Sequence, residues 1–176
     1  KATPQVREEI TRKYGLDKPI FVQYGIYMRD LLTKGDFGTS YVRSNQPITE
    51  EILRFLPATI ELTLAAMAIS IFGGILLGIV SALKKGSLTD YLSMLVALSG
   101  VSIPVFWLGL LLLLAFGNAL ATGGNLDPEY TLERTTGFVL IDTLIHGEFA
   151  MFLDGLRHLL LPAIALGTIP MAMIAR

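Results

Sequence analysis

Three long apolar runs separated by polar segments dominate the chain. Between Glu61 and Lys84 lie 22 positions, Leu62 to Leu83, without an ionisable side chain. At a rise of ~1.5 Å per residue this is roughly 33 Å of helix, enough for a hydrocarbon core of about 30 Å. A second charge-free run extends from Tyr91 to Leu126 and is densest from Met94 to Phe116. A third covers Leu159 to Ala175, just before Arg176. The pattern predicts membrane spans over about 62–83, 94–117 and 159–176. Buried helices of a soluble protein are the competing reading, and two full-length charge-free runs in so short a chain argue against it.

The remaining segments follow a helical period with punctuation. Thr3 and Pro4 have the form of an N-cap followed by a proline at the first helical position, and Gly15 that of a stop. A second helix is expected from Pro19 to Gly35, with Phe21, Tyr24, Tyr27, Met28, Leu31 and Leu32 at three- and four-residue spacing. Asp36 to Ser40 is loop chemistry. Ile48 to Leu56 is expected to form a short amphipathic helix leading into Pro57 and the first span. Between the second and third spans, Ile141, Leu144, Ile145, Phe149, Phe152 and Leu156 recur at helical spacing among Asp142, Glu148 and Asp154. This predicts amphipathic helix interrupted near Gly147, lying at the outer membrane interface or against neighbouring protein.

Charge placement supplies an orientation. Lys84 and Lys85 sit in a short loop, 84–90, between the first two spans, and Arg176 follows the third. The segment 127–157 carries six acids and two arginines. The positive-inside rule then places 84–90 and Arg176 in the cytoplasm and the acidic segment outside, and alternation of the spans agrees. Residues 1–57 fall outside, so a further helix is expected ahead of Lys1.

Two features within the spans bear on mechanism. Ala66, Ser70, Gly74, Gly78 and Ala82 recur every four residues along the first span. Small side chains let membrane helices approach closely. Each four-residue step overshoots the helical repeat by ~40°, so one straight partner cannot touch all five. In the second span, Ser99-Gly100-Val101-Ser102-Ile103-Pro104 places proline near mid-membrane. Pro104 has no N–H for the Gly100 carbonyl, which predicts a kink or local opening. Such a break serves as a hinge, as part of a solute pathway, or as a static bend.

Composition removes several function classes. Hydrophobic residues make up 52% of the chain and charged residues 16%. The net charge of −1 implies no attraction to nucleic acid. Cysteine is absent, so thiol chemistry and cysteine metal sites are excluded. His146 and His158 lack ligand spacing. No acid pair, Ser/His/Asp set or phosphate-binding loop is present, and no ionisable residue sits within the spans, which argues against a proton pump.

Several strings resemble one known family. Gly15-Leu16-Asp17-Lys18-Pro19, Gln23-Tyr24 and Gly35-Asp36-Phe37-Gly38-Thr39-Ser40 look like the extracytoplasmic segment of dipeptide and oligopeptide ABC permeases. Leu56-Pro57-Ala58-Thr59-Ile60-Glu61-Leu62, Gly100-Val101-Ser102-Ile103-Pro104-Val105-Phe106-Trp107-Leu108-Gly109 and Leu156-Arg157-His158-Leu159-Leu160-Leu161-Pro162-Ala163 continue the likeness in order. The resemblance implies an all-α, polytopic membrane protein, a partial transmembrane domain of a type I ABC importer in the bacterial inner membrane. Its partners would be a second permease subunit, two cytoplasmic ATPase subunits holding ATP and magnesium, an extracytoplasmic solute-binding protein and membrane lipid. No cofactor is expected in this chain. On this expectation residues 1–57 are extracytoplasmic and 58–176 are part of the transmembrane domain, with 84–90 cytoplasmic and 118–158 outer and interfacial. The family's first helix, its coupling segment and its last two helices fall outside the sequence. The cargo implied is dipeptide or oligopeptide, with oligosaccharide or nickel as alternatives. A structural membrane scaffold is the reading from another class.

Overall fold

The computed structural model describes residues 4–40, 46–117, 119–120 and 123–176. Among them the elements are helical: α1 (Pro4–Tyr14), α2 (Ile20–Lys34), α3 (Ile48–Leu83), α4 (Leu88–Ser102), α5 (Val105–Phe116), α6 (Val139–Ile145) and α7 (Phe149–Ile174). They form two compact units, Lys1–Phe55 and Leu56–Arg176.

In the first unit α1 packs on α2. The expected cap at Thr3 lies outside the described residues. Gly15 and Gly35 both adopt φ of +62°, the left-handed conformation that ends a helix. The Leu16 N–H reaches back to the Thr11 carbonyl at 3.0 Å, and the Gly35 N–H to Leu31 at 3.0 Å. Asp36 accepts from the Gly38 N–H at 2.8 Å and lies 3.3 Å from Lys13 Nζ. Those two partners, the Gly38 N–H foremost, hold its carboxyl below its ordinary pKa. The Thr49 hydroxyl donates to the Gly35 carbonyl at 2.8 Å, tying the end of α2 to the first turn of α3.

Pro57 does not end a helix as expected. α3 runs unbroken from Ile48 to Leu83 with the proline inside. One missing rung is tolerated in a helix of 36 residues, where the rest of the ladder holds. α7 also starts earlier than the apolar run alone predicts, at Phe149 rather than near Leu159. Asp154 and Arg157 lie inside α7 without interrupting its backbone hydrogen bonds, so hydropathy does not mark the helix end.

In the second unit α4, α5 and α6 each pack on α7. α3 and α7 run parallel, since Ser70 meets Gly167 whereas Gly78 meets Ala175 further along both helices. Among the described residues α3 and α7 are long and apolar enough to cross a membrane alone. The second predicted span is α4 followed by α5, bent by 113° at the break between them. At 15 and 12 residues, they are roughly 22 Å and 18 Å long, so neither crosses by itself.

Candidate functional site

Close approach of α3 to α7 is built from the small-residue series. Ala66, Ser70 and Gly74 are buried, Gly78 is half-buried, and Ala82 is exposed beyond the contact. A methyl group at Gly74 would lie 2.7 Å from Ile174 Cβ and 2.9 Å from the Met171 carbonyl oxygen. At Gly78 the nearest atom is the Ala175 carbonyl oxygen at 3.4 Å. The contact thus opens along α3, as a stripe drifting ~40° per step around its helix must. α7 answers with small residues of its own. Ala163, Ala165 and Gly167 are buried, and a methyl group at Gly167 would lie 3.0 Å from the Ala66 carbonyl oxygen. The Ser70 hydroxyl lies 2.6 Å from the Ala66 carbonyl and 2.9 Å from the Gly167 carbonyl. This polar group at membrane depth is therefore satisfied across the helix pair.

The break in the second span is complete. Ser102 ends α4, Ile103 is extended (φ −83°, ψ 126°), and Pro104 (φ −57°, ψ 131°) starts α5. A residue before proline is driven out of the helical region by the ring, so Ile103 is the point of departure. The Pro104 carbonyl then accepts from Trp107 and Leu108 at 2.9 and 3.0 Å, seeding the new helix. The Ser99 hydroxyl donates to the Leu95 carbonyl at 2.8 Å, one turn back in its own helix. Gly100 is buried against α7, where a methyl group would meet the Thr168 carbonyl oxygen at 3.2 Å. Ser102 and Pro104 are exposed.

These placements bring part of the two predicted features together. Ser70 of α3, Gly100 of α4 and the Gly167-Thr168 pair of α7 converge at one node. Pro170, two residues beyond, cannot donate to the Leu166 carbonyl, so α7 lacks a rung at the same place. Sequence reasoning passed over Gly167, Thr168 and Pro170. The available signal was the four-residue spacing of Ala163 and Gly167 followed by proline.

Two carboxylates fix the segment ahead of α7. Glu61 is buried and accepts the Leu140 N–H of the first turn of α6 at 2.7 Å. A carboxylate there satisfies a donor that a helix start leaves free. Asp142 is fully buried and accepts from the Thr136 N–H (2.8 Å), the Thr136 hydroxyl (2.6 Å) and the Gly137 N–H (3.0 Å). Burial pushes its carboxyl up, but the hydrogen bonds from Thr136 and Gly137 outweigh that and hold it below the ordinary value. Asp142 was expected among the polar positions between the apolar ones of an amphipathic helix. Instead Asp142 and Thr143 point inward, while Ile141, Leu144, Ile145 and Phe149 are exposed. α6 doubles back along the start of α7, its Val139 and Leu140 side chains closing on Gly155. His158, buried in α7, has Nδ1 3.0 Å from the Asp154 carbonyl oxygen, and the Asp154 carboxylate accepts the Asp127 N–H at 2.8 Å. Among the described residues no group of three or more His, Cys, Asp or Glu converges as a metal site would require.

The profile of a family described as "Binding-protein-dependent transport system inner membrane component" matches residues 74–176. The chain is 49% identical to the dipeptide transport system permease protein DppB of Alkalihalophilus pseudofirmus, over 99% of this chain and 53% of that protein. It is 47% identical to the di/tripeptide transport system permease protein DppB of Pseudomonas aeruginosa, over 98% of this chain and 52% of that protein. The oligopeptide transport system permease protein AppB of Bacillus subtilis is 35% identical, over 97% and 49% respectively. The chain spans about half the length of the curated relatives it matches.

Proposed function

Because the chain belongs to the family of inner membrane components of binding-protein-dependent transport systems, we propose that it is part of a permease that imports dipeptides or oligopeptides across the bacterial inner membrane. The family is a membrane component of a transporter and not itself a catalytic enzyme. The single observation carrying the peptide reading is the 49% identity, along 99% of the chain, to a protein named as a dipeptide permease. Oligosaccharide and nickel cargo have no comparable support, and a purely structural scaffold is disfavoured by the transport family itself.

In this reading a second permease subunit completes the pathway, two cytoplasmic ATPase subunits hydrolyse ATP, and an extracytoplasmic binding protein delivers solute. Residues 1–57 and 118–158 lie on the outer side, 84–90 on the cytoplasmic side, and the spans lie within 58–176. The small-residue face Ala66, Ser70, Gly74, Gly78 packs α3 on α7, and the Ser99-Gly100-Val101-Ser102-Ile103-Pro104 break is a hinge beside the solute path. Ser102 and Pro104, exposed in this chain, are the residues the reading offers to a partner helix or to solute. Purification of the full-length protein with its associated subunits tests it. Two ATPase subunits should copurify, and hydrolysis should rise when peptide-loaded binding protein is added. A complex without ATPase, or hydrolysis indifferent to peptide, would contradict it.

A further inference from the structure

We propose that the Gly167–Pro170 turn of α7 and the α4–α5 break form one paired hinge, bending in concert while Ser70 pins the α7 turn to α3. The inference deepens the permease reading above and rests on it for its physiological meaning. Its basis is the placement of two backbone weaknesses side by side. α4 stops at Ser102, two residues past Gly100. α7 loses the rung from Pro170 to Leu166, two residues past Thr168. Between them Gly100 faces the α7 main chain so closely that a methyl group added to it would lie 3.2 Å from the Thr168 carbonyl oxygen and 3.4 Å from Thr168 Cβ. With glycine on one side and the Thr168 main chain on the other, no long side chain absorbs a shear at this contact. Packed interiors have little slack, so a bend in one helix alone would drive main chain into main chain or open a void.

The opposite ends of the helices are looser. Gly78 has only 3.4 Å contact with Ala175, and a cavity of about 160 Å³ opens among Leu77, Ser81, Ser93, Ala97, Ala175 and Arg176. Gly74 against Met171 and Ile174 extends the close contact of α3 and α7 past the node, so displacement is accommodated beyond it, at Gly78, Ala175 and the start of α4 around this cavity. Ser70 supports this directly, because its hydroxyl bonds the Gly167 carbonyl at 2.9 Å and registers α3 on the turn that bends.

The test uses the full-length permease in its transport complex and two cysteine pairs, Gly100→Cys with Thr168→Cys at the node and Gly78→Cys with Ala175→Cys at the loose end. The 3.4 Å separation at the node is close to the Cβ–Cβ distance of a disulfide. Node cross-linking should proceed with equal yield in the resting and nucleotide-trapped states. Oxidation of the loose-end pair should abolish uptake, with recovery on reduction. A node yield that changes with nucleotide, or full uptake after oxidation of the loose-end pair, would overturn the paired hinge. Absence of uptake in the reduced complexes would instead count against the permease reading, while the cross-linking yields still decide the hinge. A second arm needs no cysteine. Pro104→Ala and Pro170→Ala should each lower uptake, and the double variant should be no worse than either alone, whereas multiplying losses would show two independent bends.

Discussion

Gly74 is the most demanding position of the small-residue series, because what a side chain there would meet is the body of α7. Gly74→Leu is expected to destabilise the folded subunit by about 1–3 kcal/mol or more, as overpacking does, whereas Ile79→Leu on the exposed side should cost under ~1.5 kcal/mol. Thermal unfolding in detergent checks it, and equal midpoints would show that Gly74 faces lipid. Asp142 makes a different prediction. Its folded pKa lies below the ordinary carboxylate value of 3.8, so its contribution is fully present above that value and fades as pH falls through the lower folded value. Protection of the Thr136 and Gly137 amides against hydrogen exchange should persist at neutral pH and weaken below about pH 4. Asp142→Asn should weaken it at every pH, at a cost of about 1–3 kcal/mol for the mismatched donors. Unaltered protection in that variant would contradict the assignment. The small-residue series could be singled out in the sequence because small residues four apart have few other uses in a membrane helix. Asp142 could not, since an acid among apolar neighbours looks solvated until the Thr136-Gly137 loop is known to cover it.

At the scale of elements, the sequence indicates where bonds are lost more securely than what the chain then does. Pro57, Pro104, Pro162 and Pro170 all lack the same N–H, yet three lie inside continuous helices and only Pro104 divides two. The difference is Ile103, whose extended backbone turns the chain by 113°, against a glycine packed on α7. Helix over Phe149 to Leu156, after a break near Gly147, was expected from its spacing; its continuity with the third span was hidden, because the first turns of α7 are covered by α6 at Gly155. If the break is a hinge, Pro104→Ala should restore a rung to Gly100, favour a straighter helix and lower peptide uptake while leaving assembly with the ATPases intact. Uptake unchanged in Pro104→Ala, Ser99→Ala and Ser102→Ala alike would make the segment a static bend.

For the whole molecule, helix content, apolar spans and family were all accessible from the residues, whereas the meeting of α3, α4 and α7 at one node is a product of three-dimensional packing. The orientation proposed above rests on Lys84 and Lys85 beside a loop closed by Asp90, which accepts from the Ser81 hydroxyl and the Gly86 N–H. In this cysteine-free chain, Ser87→Cys in the full-length protein should react with impermeant reagent only after the cells are opened, and Thr131→Cys before. Reaction of Ser87→Cys in intact cells would reverse the topology. The central claim, a peptide-importing permease, is tested most directly by uptake of labelled dipeptide into proteoliposomes holding the full-length complex. A peptide permease predicts accumulation that requires ATP, requires the binding protein, and is competed by unlabelled dipeptide but not by oligosaccharide or nickel. Accumulation competed by nickel or oligosaccharide instead, or no peptide accumulation by an assembled complex that hydrolyses ATP, would contradict it.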